Sequence, residues 1–437
     1  MKKKNILLII TDQQSATMMS CARNKYLQTP AMDSIAHNGV RFDRAYCANP
    51  ICVPSRFAMM TGRMPTEINF RSNYASEADQ ISDHIKENGL GNCIKKAGYD
   101  VVYGGKEHLP NTNTTELGFN YICKDERDDL SNFCSDYIKN HDQKKPFFMV
   151  SSFINPHDIC LMAIRDFANQ PTDLAILKNC YLEQTVMEEC SVLPEGVSEK
   201  EFFEKYCPPL PENYEPQKDE PDAVRQIQEE RLFKKMAREH YTDRDWRIHR
   251  WAYVKLTERV DAQIGRVLQS VKDAGLEDDT VIMFVSDHGD MDATHRMEHK
   301  TILYEQSCQI PFMIQDPDAK NKNIVDKTHM VSTGLDILPT ICDYAGVEPP
   351  KDIKGQSLKT IIQNGEGPWR DMVHVEGQHG DAYITKDFKY IKYFSGVNSE
   401  QLVDYKKNPL EMWNDFSNPD YKDVIAEMKK TVGVKEL

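Results

Sequence analysis

No apolar run in the 437-residue chain approaches the roughly 20 residues that a membrane-spanning helix needs, so a membrane is not expected as partner. Positive charge is the scarcer sign. Lys and Arg number 54 against 68 Asp and Glu, for a net charge of −14. A chain this acidic repels nucleic acid and anionic membranes, and an anionic ligand would need a local cluster of cations to be held at all. The twelve cysteines contain no Cys-x-x-Cys pair and no zinc-ligand spacing. A reduced, cytoplasmic setting is the expectation, or a periplasmic one if a leader has been removed. Internal repeats and low-complexity tracts are missing too. The start, Met1-Lys2-Lys3-Lys4 before Asn5–Ile10, has an apolar run shorter than a signal-peptide core and no small-residue cleavage site after it. It reads as a buried first strand.

What is present is ordinary for a soluble globular protein, 40% hydrophobic and 28% charged, in a length that suits one large domain plus a smaller one. Several short apolar runs end on chemically capable residues. Ile6–Ile10 leads to Asp12 and Gln13, and Val101–Tyr103 leads through two glycines to Lys106 and His108. Phe147–Phe153 leads to Asn155-Pro156-His157-Asp158, and Val281–Val285 to Ser286-Asp287-His288-Gly289-Asp290. Continuous runs, unlike alternating ones, suit strands covered on both faces of a parallel sheet. Helical patterns at Ala31–Asn38, Asp83–Lys96 and Trp246–Lys272 lie between them, which implies an α/β fold. Ligands in such folds bind beyond the carboxyl ends of the strands, where all four polar clusters fall.

The regularity lapses over residues 161–245, around Pro208-Pro209-Leu210-Pro211 and an acidic stretch. This segment reads as a surface insertion within a catalytic domain of residues 1–350, and it is assigned to substrate selection. Residues 351–437 read as a subdomain of short strands (Met372–Glu376, Ala382–Thr385, Tyr390–Phe394, Gln401–Tyr405) closed by a helix near Tyr421–Thr431.

The densest local signal is Cys52-Val53-Pro54-Ser55-Arg56. Pro54 suits a first helical turn. Cys52 and Arg56, four apart, share a helix face, so Arg56 is placed to hold an oxyanion on residue 52. Taken together, Thr11-Asp12-Gln13, this Cys-x-Pro-x-Arg core, Gly105-Lys106-Glu107-His108, Pro156-His157, Ser286–Asp290, Lys300 and the late Leu402–Tyr405 and Asn408–Glu411 segments resemble the type I sulfatases. Those are members of the alkaline phosphatase-like superfamily, and the resemblance covers nearly the full chain.

The resemblance implies that a maturation enzyme oxidises Cys52 to formylglycine. Its hydrate offers one hydroxyl to attack sulfur and a second to expel sulfate. It also implies a divalent cation, Ca2+ before Mg2+ given hard oxygen donors, held by Asp12, residue 52, Asp287 and His288, with Gln13 a carbonyl ligand or a neighbour. Lys106 and Lys300 are the implied sulfate clamps, His108 the base acting on residue 52 and His157 the acid protonating the leaving oxygen. Asp290 orients Arg56 or the metal ligands. Gln13 and His288 depart from the commonest pattern of two adjacent aspartates and a later asparagine; the combination is closer to the choline sulfatase and phosphonate monoester hydrolase branch. His84, His240, His249, His374 and His379 have no catalytic framing, although Glu376-Gly377-Gln378-His379 could stand at the rim. Trp246 and Trp251 read as packing. The leading expectation is therefore a hydrolase of sulfated carbohydrate. Alternatives are a phosphonate or phosphate ester hydrolase, a choline or aryl sulfatase, and a non-catalytic sulfated-glycan binding protein.

Overall fold

The computed structural model describes residues 3–433; Met1 and Lys2 of the basic start lie outside them. In chain order the strands are β1 (Asn5–Asp12), β2 (Val40–Phe42), β3 (Ala45–Tyr46), β4 (Asp100–Gly105), β5 (Asn120–Cys123), β6 (Phe147–Pro156), β7 (Thr280–Ser286), β8 (Phe312–Gln315), β9 (Ile324–Asp326), β10 (Val331–Ser332), β11 (Met372–Glu376), β12 (Gly380–Thr385), β13 (Phe388–Tyr393) and β14 (Glu400–Asp404). Eight of them form one sheet in the order β5-β4-β6-β1-β7-β8-β2-β9. Its centre is parallel, while β8 runs antiparallel to both neighbours.

β1 shows why the runs lack alternation. Ile6, Leu8 and Ile10 enter the core on one face of the sheet, and Leu7 and Ile9 enter the core on the other. One face packs on the helices Cys52–Thr61 and Thr333–Ala345, the other on the long helix Asp243–Asp273. Burying both faces of a strand requires apolar residues at every position. Thr242 starts the long helix through a reciprocal capping box with Asp245. The small antiparallel sheet β11-β12-β13-β14 and the helix Lys422–Val432 stand where the late strand patterns predict them. Among the described residues no helix is long and apolar enough to cross a membrane.

Two expectations need correction. The pattern Asp83–Lys96 is two helices, Asp83–Glu87 and Leu90–Lys96, parted at Gly89, where a Cβ would press on Leu117. The insertion is not an irregular surface loop. It holds the helices Leu161–Phe167, Pro171–Asn179, Tyr181–Ser191, Asp222–Glu229 and Leu232–His240. Ile164, Phe233 and Ala237 close around Trp246, and Val186 and Met187 pack on the long helix. Each helix buries only a few residues, so no long periodic run advertised it.

Candidate active site

Four adjacent parallel strands, β4-β6-β1-β7, end side by side. Their register pairs Gly105 with Ser152, Asp12 with Pro156 and Thr11 with Ser286. Asp12 and the residues just past the other ends (Lys106, His157, Asp287 and His288) are thereby brought to one level. Two glycines make this level possible. Gly105 has φ +88°, and a Cβ there would lie 2.1 Å from the Ser152 carbonyl oxygen; one on Gly289 would lie 2.0 Å from that of Gln306. Only glycine tolerates such approaches. Cys52 opens the ten-residue helix Cys52–Thr61, fully buried, at the end where free N–H groups favour negative charge.

Cys52 Sγ lies 3.0 Å from Lys300 Nζ, 3.2 Å from His288 Nε2 and 3.8 Å from Asp12 Oδ1, and it acts on the neighbouring His157 ring. Burial and Asp12 push the thiol pKa up, but Lys300, His288 and Lys106 together outweigh them and hold it well below the usual thiol range. The pocket is built to stabilise negative charge on residue 52.

Arg56 is engaged first with the two carboxylates. Its Nε donates to Asp287 Oδ2 at 2.8 Å and Nη2 to Asp12 Oδ2 at 2.9 Å. Nη1 donates to the Lys106 carbonyl and to Ser152 Oγ, both at 2.9 Å. Four of the five guanidinium N–H groups are thus taken by Asp287, Asp12, the Lys106 carbonyl and Ser152, and the group fixes the two carboxylates. Asp290 is likewise not on Arg56: it accepts from Gln13 Nε2 at 2.7 Å and from the Asp292 N–H. Gln13 in turn accepts from Lys300 Nζ at 2.8 Å through its carboxamide oxygen and donates its backbone N–H to Asp287 Oδ1.

One donor atom each from Asp12, Cys52, Asp287 and His288 lies within 4.8 Å of the others, all buried. His288 Nδ1 sits 2.9 Å from the Gly289 carbonyl oxygen. A carbonyl only accepts, so Nδ1 carries the proton and Nε2 turns toward Asp12 Oδ1 (3.7 Å) and Asp287 Oδ1 (3.6 Å). Burial and then Asp12 push the Asp287 carboxyl up, whereas Lys106, His157 and Arg56 overcome burial to hold Asp12 down. Two carboxylates and an imidazole lone pair converging on one point repel one another without a proton or cation between them. The donor set fits a divalent cation.

Lys106 Nζ pairs with Asp12 Oδ2 at 2.7 Å, and Lys300 reaches residue 52 from the other side. His157 is half-buried beside them. Burial, then Lys106 and Lys300, push its imidazole down to about 3. His108 is not brought to the cluster. It is exposed, with φ 49°, and among the described residues it has no hydrogen bond to Cys52.

The Lys300 loop is tightly wound, with Asp292, Ala293, His295, Arg296, His299 and Thr301 all at positive φ. Of its other basic residues, His295 packs at a tilt against Tyr304 and Arg296 pairs with Glu215, while His299 lines the cavity beside Lys300. Clustering of strained backbone beside the reacting residue is common where geometry is imposed by function. A cavity of about 400 Å³ opens beside Lys300 and His157, lined from the insertion by Ile227, Arg231, Phe233 and Lys234 and from the small sheet by Gln378 and His379. The rim expectation for the Glu376–His379 segment is met. Trp246 and Trp251 are buried against Tyr241 and Phe202, and His249 is buried as well. His84 and His240 sit at the surface, and His374 stacks on Tyr383.

The sequence reading missed the supports. Ser55 Oγ donates to the Asp287 carbonyl, and Tyr103 OH and Ser152 Oγ both donate to the Lys106 carbonyl. Ser152 sits inside a wholly apolar-looking run, and that lone hydroxyl pair at 151–152 was the available signal.

Sequence comparison matches the Sulfatase family over residues 4–347, and the family described as N-sulphoglucosamine sulphohydrolase, C-terminal, over 293–436. An arylsulfatase of Clostridium perfringens is 29% identical, with 100% of this chain and 94% of the relative aligned. A Delta 4,5-hexuronate-2-O-sulfatase of Bacteroides thetaiotaomicron is 28% identical over 98% of this chain and 87% of its own length. Among solved structures, a 2-O GAG sulfatase superposes with a TM-score of 0.82 at 25% identity, covering 99% of this chain and 91% of that one. Phosphonate monoester hydrolase of Agrobacterium radiobacter gives 0.75 at 19% identity, covering 99% and 95%, a likeness of fold.

Proposed function

The chain belongs to the sulfatase family and is a sulfuric ester hydrolase, and from that premise we propose that it removes sulfate from a sulfated carbohydrate through residue 52. The observation that carries this reading is Cys52 at a helix N-terminus, flanked by Lys300 and the Asp12–Asp287–His288 donors. Support for the carbohydrate comes from relatives named for sulfated sugars, including an N-acetylglucosamine-6-O-sulfatase 26% identical over 98% of this chain.

Oxidised to formylglycine and hydrated, residue 52 offers one hydroxyl to sulfur and a second to expel sulfate, as is typical of the family. Asp12, Asp287, His288 and residue 52 would hold a divalent cation, Ca2+ by the weight of oxygen donors, which supplies positive charge against the sulfate and the nucleophile. Arg56 fixes the two carboxylates. Lys106 and Lys300 hold the sulfate oxygens and offset charge that builds during transfer, and Gln13 steers Lys300. His157 passes a proton to the leaving sugar oxygen. A sulfate between Lys106 and Lys300 cancels part of the field that depresses its imidazole, so substrate itself favours the protonated ring.

Protein co-expressed with a formylglycine-generating enzyme should carry the aldehyde in the tryptic peptide ending at Arg56, by mass spectrometry. It should release sulfate from members of a panel of sulfated mono- and disaccharides, lose activity on chelation, and recover with Ca2+. Full activity with an unmodified thiol would sink the mechanism. Turnover of phosphonate monoesters in place of sulfates would move the chain to the alternative chemistry.

A further inference from the structure

Lys234 has a place in the cavity that sulfate transfer does not explain. It comes from the inserted helix Leu232–His240 and is only 7% exposed. Its Nζ has a hydroxyl for partner, Thr301 Oγ1 at 3.4 Å, and among the described residues no carboxylate pairs with it. Thr301 follows Lys300, so the two lysines approach the cavity one residue apart. Carboxylates nearby are already committed. Asp173, fully buried, holds Arg231 at 2.7 Å, and Glu230 faces His379 at 3.3 Å. Burial, then Lys300 and Arg231, push the Lys234 ammonium down to about 8.

A buried, unpaired ammonium beside two other cations is unfavourable for folding. Chains keep such groups where a ligand completes them. Lys300 is committed to residue 52 and the scissile sulfate, which leaves Lys234, with Arg231 behind it, facing a different part of the substrate. Phe233 on the same helix and Gln378 and His379 opposite give that part walls.

Resting on the sulfatase reading above, we propose that Lys234 and Arg231 form a second anion subsite, and that the substrate is a saccharide carrying another anionic group near the sulfate that is cleaved. A second sulfate and a uronate carboxylate offer the same chemistry to an ammonium.

Steady-state kinetics on aldehyde-bearing enzyme separates the possibilities. The substrates are a monosulfated neutral hexosamine, the same sugar with a second sulfate, a sulfated disaccharide with a uronate carboxylate, and 4-nitrophenyl sulfate. One of the two doubly anionic sugars should have the highest kcat/KM, and which one identifies the anion. Lys234→Met should cut kcat/KM for that substrate by about 10- to 100-fold, the usual worth of a hydrogen bond to a charged group, mainly through KM. Its effect on 4-nitrophenyl sulfate should be at least tenfold smaller, and Lys234→Arg should restore most of the loss. The Tm of Lys234→Met should hold or rise, since an uncompensated buried charge is removed. Equal losses on all four substrates, or a lower Tm with unchanged KM, would overturn the subsite. Binding of the doubly sulfated sugar to Cys52→Ala protein, with and without Lys234→Met, gives a readout independent of turnover. No sulfate release from any substrate by the aldehyde-bearing enzyme would count against the sulfatase reading. Equal affinity of the two Cys52→Ala proteins would count against the subsite alone.

Discussion

Two buried charge clusters in this molecule each hold a lysine, and they are built on opposite plans. Where the small sheet meets the main domain, Lys389 on β13 is fully buried between Glu411 Oε1 at 2.9 Å and Glu305 Oε1 at 3.1 Å. Tyr405 OH donates to Glu305 at 2.6 Å, and the Glu305 N–H donates to Glu411 Oε2 at 2.8 Å. Every charge there meets an opposite charge or a matching hydrogen-bond group. At the strand ends Arg56 bridges Asp12 and Asp287, and Lys106 pairs with Asp12. Lys300, however, meets only a thiol and an amide oxygen, Lys234 meets a hydroxyl, and the other oxygens of the two carboxylates face an imidazole. The first cluster is complete as protein and ties β13 to the helix Glu305–Cys308 and the Glu411 loop. The second is completed only by a cation and an anion from outside. A buried charge without its counterpart marks where a ligand belongs.

That contrast can be broken by mutation. Cys52→Ala should abolish turnover, a loss of about 10⁴- to 10⁶-fold as for other nucleophiles, with Tm unchanged or raised; residual activity above background would mean that residue 52 is not the nucleophile. His157→Ala should cost about 10²- to 10⁴-fold on a sugar sulfate, the range for general acids. It should cost much less on an aryl sulfate, whose phenolate needs little help. His108→Ala should cost less than His157→Ala on both, given its exposure; the reverse order would show that the loop after β4 closes onto residue 52 during turnover. Lys389→Met should behave oppositely to these. It strands two carboxylates and should destabilise by about 3–5 kcal/mol in denaturant unfolding, with kcat per folded molecule retained. Adding Glu411→Gln should return part of that stability. The smallest effect concerns His249, whose two ring nitrogens have no hydrogen-bond partner among the described residues and whose pKa burial drives down to about 3. The unfolded ring binds a proton near 6.5 and the folded one does not, so stability is lost as pH falls below 6.5. His249→Leu should remove about 2 kcal/mol of that loss between pH 7 and pH 5, without changing activity at pH 7.

How much of this was legible depended on the length of each signal. β1, β4, β6 and β7 were readable because double burial leaves continuous apolar runs, and the parallel topology then dictates that Asp12, Lys106, His157 and Asp287 meet. The inserted helices were not, since each buries a few residues and prolines at 171, 208, 209 and 211 break the period. Lys234 therefore went unseen. Spacing put Arg56 on the face of Cys52, but the partners that take its donors, Asp12 and Asp287, lie 44 and 231 positions away. His108 stands exposed at a positive φ, and no residue-type pattern announces that conformation for a histidine.

The two glycines at the strand ends have a consequence for what can be substituted around the site. Gly105 and Gly289 meet carbonyl oxygens of Ser152 and Gln306, so the platform under the reacting atoms is fitted backbone to backbone. Contacts of that kind are indifferent to which side chains stand on top. The side chains above it can be exchanged while the platform keeps its shape, whereas any Cβ at either glycine collides with backbone. A phosphonate monoester hydrolase with 19% identity superposes at a TM-score of 0.75, a likeness of fold.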